Sequence, residues 1–112
     1  EKHHLFPKRY LEKNFNLEKS VNYQEGSIVS RGILKNNGGT ITVFAFDKGQ
    51  KLSEHKTPFD ALAYVIDGGA EITISGNVYN LKKGDAVVMS ANDSHSINAV
   101  ENFKMALIML KN

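Results

Sequence analysis

The sequence predicts an all-β domain, closed as an antiparallel sandwich or barrel. Three observations carry that prediction. From Ser27 onward the chain falls into short runs rich in β-branched and aromatic residues. Gly, Asn, Asp and Ser bound those runs at short, regular spacing. No stretch after Ser27 carries a helical hydrophobic period. Many short strands separated by turn residues close most readily as two packed sheets or a barrel.

Taken in order, residues 1–26 read as an N-terminal arm and residues 27–112 as the barrel domain. In "KRYLEKNFNLEKSVNY", Leu11 and Phe15, then Leu17 and Val21, stand four apart. That spacing suits a helical turn or two packed on the barrel, and an extended arm fits the same residues. Asn16 is placed to cap the second turn. His3 and His4 are adjacent near the terminus and read as surface residues. "SIVSRGIL" then leads through the turn "KNNGG" to "TITVFAF", which ends at "DKGQ". "ALAYVI" ends at "DGG", "AEITI" at "SGN" and "VYNL" at "KKGD". "AVVM" enters the loop "SANDS", and "HSINAV" and "FKMALIML" follow. Asp67-Gly68-Gly69 and Ser75-Gly76-Asn77 carry tight-hairpin chemistry, because Gly and Asn accept positive φ at little steric cost.

Composition narrows the function. At 112 residues the chain is expected to form one domain. No run approaches the roughly 18–20 apolar residues of a membrane span. The scattered, charge-interrupted apolar residues of "EKHHLFPKRYLEKNF" do not read as a secretory signal, so a cytoplasmic protein without a membrane partner is expected. A formal charge of +2 with dispersed lysines argues against a nucleic-acid partner. With no cysteine there is neither a disulfide framework nor a thiolate nucleophile or ligand. No P-loop appears, and neither Ser94 nor Ser96 sits in a strand-to-helix elbow, which disfavours phosphate chemistry and nucleophilic hydrolysis.

Two phrases carry a family resemblance. Gly49, His55 and Gly68 stand at the spacings of the first cupin motif, with Thr57 in its second histidine slot and Ala61 in its glutamate slot. Gly84 and His95 match the second motif, in which Ser90, Asn92 and Ala99 replace Pro, Gly and Asn. The phrase "AYVIDGGAEITI" between them reads like the family's hairpin. The chain therefore resembles the small single-domain cupins, the conserved-barrel or RmlC-like jelly rolls, from about Gly38 to Leu110. The resemblance implies a double-stranded β-helix. It does not imply one activity, because the superfamily holds oxygenases, isomerases, epimerases, sugar binders and storage proteins.

The departures from the motif have a physical consequence. In a strand, side chains two apart share a face, so His-x-His would aim two imidazoles into one cavity. A carboxylate and a histidine from the second motif would complete a metal site with open positions. Here His55 and His95 remain as metal candidates, and Glu54 and Asp60 have the wrong strand parity. A divalent transition metal (Fe, Mn, Zn or Ni) would find an incomplete site with no anionic ligand. The same parity turns Ala61, Ala63 and Val65 inward. Small residues there would leave a ligand pocket lined by His55, Thr57, Ala61, Ala63, His95 and Met105. The alternating faces Phe44/Phe46 and Phe103/Met105/Leu107/Met109 serve as packed core, as pocket border, or as both.

Three functions compete on these residues. The expected one is binding of a small, partly apolar molecule in the barrel, with a degenerate metal site. The alternative is a metal-dependent cupin enzyme, of dioxygenase or isomerase type, using an atypical two-histidine site. Metal-free proton transfer by a histidine is the third, and no inward Asp or Glu is available to orient either ring. A homodimer is also expected, since "SIVSRGIL" can add a strand to a partner's sheet and the outward set Leu62, Tyr64 and Ile66 is apolar. The same set would suit intramolecular packing.

Overall fold

Nine strands form two antiparallel sheets in the computed structural model, which describes residues 10–111. They are β1 (Ile28–Asn36), β2 (Gly39–Phe46), β3 (Lys51–His55), β4 (Asp60–Asp67), β5 (Gly69–Ile74), β6 (Asn77–Lys82), β7 (Ala86–Met89), β8 (His95–Asn98) and β9 (Phe103–Leu110). One sheet has the order β1-β2-β9-β4-β7 and the other β3-β8-β5-β6. This is the jelly-roll barrel expected from the sequence. His3 and His4 lie outside the described residues.

Cross-strand partners share a face, so the register divides each sheet into an inner and an outer surface. On the five-stranded sheet, Phe46 pairs with Phe103, and Phe44 with Met105, which in turn pairs with Val65. Ala61 pairs with Met89 on one side and Met109 on the other. These side chains meet Ala70, Ile72, Ile74, Leu81 and Ile97 of the other sheet in one buried cluster. Phe46 and Phe103 are fully buried, with ring centroids 4.8 Å apart.

The arm packs on the outer surface of the five-stranded sheet. It includes a 3-10 turn at Glu18–Ser20, where the Asn16 side chain accepts a hydrogen bond from the Lys19 N–H at 2.9 Å. Val21 is buried against Val43, Ala45 and Ile66, with Leu17, Tyr23, Val29 and Ile33 around them. The arm is held by polar links as well. Lys104 Nζ donates to the Glu18 carbonyl at 2.6 Å and lies 5.1 Å from the Tyr23 ring centre. Tyr23 donates its hydroxyl proton to Asp67 at 2.5 Å. Burial first, and then this bond to a carboxylate, push the Tyr23 phenol well above its ordinary value.

Two sequence expectations need correction. Asp67-Gly68-Gly69 is not a hairpin, because β4 pairs with β7 and β9 while β5 pairs with β6 and β8. It is a corner at which the chain passes from one sheet to the other. Gly68 nevertheless takes the positive φ, +69°, that its turn chemistry suggests. Positive φ serves a corner as well as a hairpin, so local chemistry does not distinguish them. Ser75-Gly76 does close a two-residue hairpin, since Ile74 pairs with Asn77 and both loop residues have positive φ. The other correction is an added strand, β3. Its sequence KLSEH is polar and mostly exposed, as befits an edge strand, and so it lacks the apolar signature of the others.

Candidate functional site

Two crossings between the sheets build one end of the barrel. The first leaves β3 at His55 and enters β4 at Asp60; the second leaves β7 at Met89 and enters β8 at His95. Three hydrogen bonds tie them together. The Asn92 N–H donates to the Thr57 carbonyl at 2.7 Å, the Ala91 N–H donates to Asp60 Oδ1 at 2.8 Å, and the Ser94 hydroxyl donates to the Glu54 carboxylate. The carboxylates of Asp60 and Glu54 are thus engaged in holding loops.

His55 and His95 are direct partners across β3 and β8. Their ring centres are 4.2 Å apart, in an edge-on arrangement. His55 Nδ1 lies 2.8 Å from the Ser53 carbonyl oxygen and His95 Nδ1 lies 3.2 Å from that of Asp93. A carbonyl only accepts, so each Nδ1 carries the proton and donates it. Each Nε2 is then left with its lone pair as an acceptor or ligand. His95 is buried and His55 half-buried.

Burial chiefly holds the His95 pKa below the ordinary imidazole value, the bond to Asp93 works against that, and the charge on a protonated His55 adds to it. Its contribution to stability is therefore complete above the unfolded value of about 6.5 and is lost as the pH falls, because the unfolded chain takes up the proton first. Acidification from neutral pH should lower the melting temperature, and His95→Gln should reduce that dependence. Parallel melts at the two pH values check both.

The inner surface is not sealed evenly. Phe46, Phe103 and Met105 have essentially no exposure, whereas Phe44, Thr42, Leu107 and Met109, on the same inward rows of β2 and β9, are half-buried. Leu52 and His55 on β3 are half-buried too. Water can still reach these inward residues of β2, β3 and β9, so the inner surface is open on their side. The result is a cleft with an apolar wall and a histidine pair.

Of the residues singled out from the sequence, His55 and His95 come together at this cleft. Ala61, Ala63 and Met105 belong to the sealed core beneath it. Thr57 lies beyond the end of β3, and its hydroxyl bonds with the Phe59 backbone, at 3.2 Å to the carbonyl and 3.4 Å to the N–H. Sequence reasoning passed over Leu52, whose face depends on the bulge between it and His55, and over Thr40 and Thr42, which plain alternation along β2 puts on the face of Phe44 and Phe46. Thr40 Oγ1 is buried without a hydrogen-bond partner, in the row that continues through Met109 to Ala61.

The family model for the cupin domain matches residues 42–111. This chain belongs to the cupin family. A conserved protein of unknown function from Streptococcus pyogenes is 34% identical, with a TM-score of 0.88 over 96% of this cupin and 94% of that chain. A cupin superfamily protein from Desulfitobacterium hafniense is 25% identical, with a TM-score of 0.85 over 96% and 95% of the two chains. A conserved-barrel cupin from Leptotrichia buccalis is 43% identical, with a TM-score of 0.84 over 87% of this chain; the match spans 47% of that longer protein. No curated protein matches the sequence. No helix among the described residues is long and apolar enough to cross a membrane.

Proposed function

We propose that this cupin binds a small, partly apolar molecule in the cleft beside His55 and His95. The observation that carries this reading is the histidine pair itself. Two imidazoles with Nδ1 tied to backbone carbonyls present Nε2 lone pairs at the edge of an apolar cleft. Such a combination, a mostly apolar wall with a few oriented polar groups, is what small-molecule sites use.

The donor set does not fit the family's divalent ion. Ala61 offers no carboxylate and lies in the core between Met89 and Met109, while the Thr57 hydroxyl is engaged by the Phe59 backbone. Two neutral imidazoles lack both the ligand number and the negative charge that a divalent transition metal needs. Metal analysis and native mass spectrometry of the purified protein test this reading together. A retained organic molecule, released by His95→Ala, is the expected result. A stoichiometric metal lost on the same substitution would favour the metal-dependent enzyme instead, which the convergence of the two rings also supports.

The same proposal extends to a homodimer formed through the outer sheet surface. The described residues of the arm cover one half of that surface, with Ile66 beneath them, and do not reach the other half. Two apolar grooves lie there, of about 250 and 210 Å³, and both are bordered by Ile108 and Leu110. Leu34, Tyr64, Val88 and Leu110 are exposed around them. A ridge between two grooves is self-complementary under a two-fold axis, as an isologous contact requires. Sedimentation at micromolar concentration should give a dimer, and Leu110→Glu a monomer; a monomeric natural protein would end this reading.

A further inference from the structure

We infer that the molecule taken by the cleft is a neutral aromatic bearing hydroxyl groups, a phenol or catechol in chemical class. This inference rests on the reading of the cleft as a small-molecule site and adds the class of occupant. The first argument is hydrogen-bond polarity. Both Nδ1–H groups are spent on the Ser53 and Asp93 carbonyls, so in the neutral form of each ring Nε2 can only accept. An occupant must therefore bring donors. A hydroxyl does so, whereas a carboxylate or ketone places its own lone pairs against those of the nitrogens.

The second argument is the wall. Phe44, Leu107 and Met109 are among the half-open inward residues of the five-stranded sheet, with Met105 sealed behind them. Met89 and Met109 stand on either side of Ala61, so the small residue lies between two thioethers. Thioethers and a phenyl ring make favourable contacts with an aromatic face that a saturated ring does not reproduce. Thr40 is the third element. Its buried hydroxyl has no partner, and it belongs to the same inward row as Met109. An unsatisfied buried hydroxyl is costly, and a second hydroxyl reaching it on the occupant would relieve that cost. Among charged residues on the described strands, only Lys35, the partner of Thr40 on β1, shares this side. An aryl carboxylate is therefore the competing class.

Titration with catechol, phenol, benzoate and cyclohexanol, followed by the methyl signals of isotope-labelled methionine, tests the inference. Catechol and phenol should saturate and shift the Met109 methyl by ring current. Catechol should bind more tightly than benzoate, and phenol more tightly than cyclohexanol. Losing one hydrogen bond of ordinary strength should cost about tenfold in affinity for catechol, read with His95→Leu. His55→Asn, on the half-buried edge strand, provides the same reading if the His95 variant fails to fold. Benzoate matching catechol, or cyclohexanol matching phenol, would overturn the assigned class and leave the cleft as the site. Unmoved methyl signals with all four probes would also overturn the class; whether the purified protein retains some other molecule then decides the broader reading separately.

Discussion

Gly68→Val destabilises this cupin by several kcal/mol, whereas Gly76→Val costs only the backbone share. At Gly68, with φ of +69°, a β-carbon would lie 1.8 Å from the Asn102 carbonyl oxygen, which is backbone and cannot swing away. The left-handed conformation alone costs a side chain roughly 1–2 kcal/mol. Forcing atoms into a filled space adds about 1–3 kcal/mol. Gly76 has φ of +85° but nothing within 4 Å of its would-be β-carbon, so the second cost is missing. Urea unfolding of the two variants separates these contributions. Equal losses would show that the corner beside Asn102 yields readily, and an unchanged Gly68→Val would remove the corner assignment altogether.

Thr57→His with Ala61→Glu raises the affinity for Mn, Fe, Zn or Ni by orders of magnitude. His55 and His95 already present two Nε2 atoms on adjacent strands, and the substitutions supply the missing imidazole and the missing negative charge. The double variant without metal should be less stable than the natural protein. Its new carboxylate enters a core lined by Met89 and Met109, where an unpaired charge is expensive. Metal should restore the melting temperature, because a ligand bound only by the folded state stabilises it. Isothermal titration and melting curves of both forms in one buffer give the comparison. Tight binding by the natural protein, with no gain in the double variant, would mean that the two-histidine site already holds its metal and that the enzyme reading is the better one.

These two experiments separate what was legible from what was not. The run from Gly39 to Phe46 was readable as a strand because alternation and β-branching are local properties, and Ser75-Gly76 was readable as a turn for the same kind of reason. Strand β3 was not, since an exposed edge strand has polar residues on its outer rows. The positive φ of Gly68 was likewise legible while its partner strands were not: a glycine reports the backbone angle it permits, and not the sheet that the next strand joins. For the site, motif spacing alone points to His55 and His95. It did not reveal that the Thr57 hydroxyl turns to the Phe59 backbone, or that Asp60 and Glu54 spend their carboxylates on the second crossing.

By itself, then, the sequence determined every strand but β3, the turn chemistry, the family and the absence of two expected ligands from their slots. Each of these is written in residue type and spacing along the chain. Tertiary structure decided which inward residues are sealed and which are open: Met105 is closed beneath the cleft, while Leu107 and Met109, on the same face of β9, remain half-buried. It also decided that the arm covers Ile66 and leaves Leu110 exposed. Strand parity assigns all the inward residues of β9 alike. How deeply each is buried depends on where β3 ends and how the two crossings close the barrel, which are contacts between residues far apart in sequence.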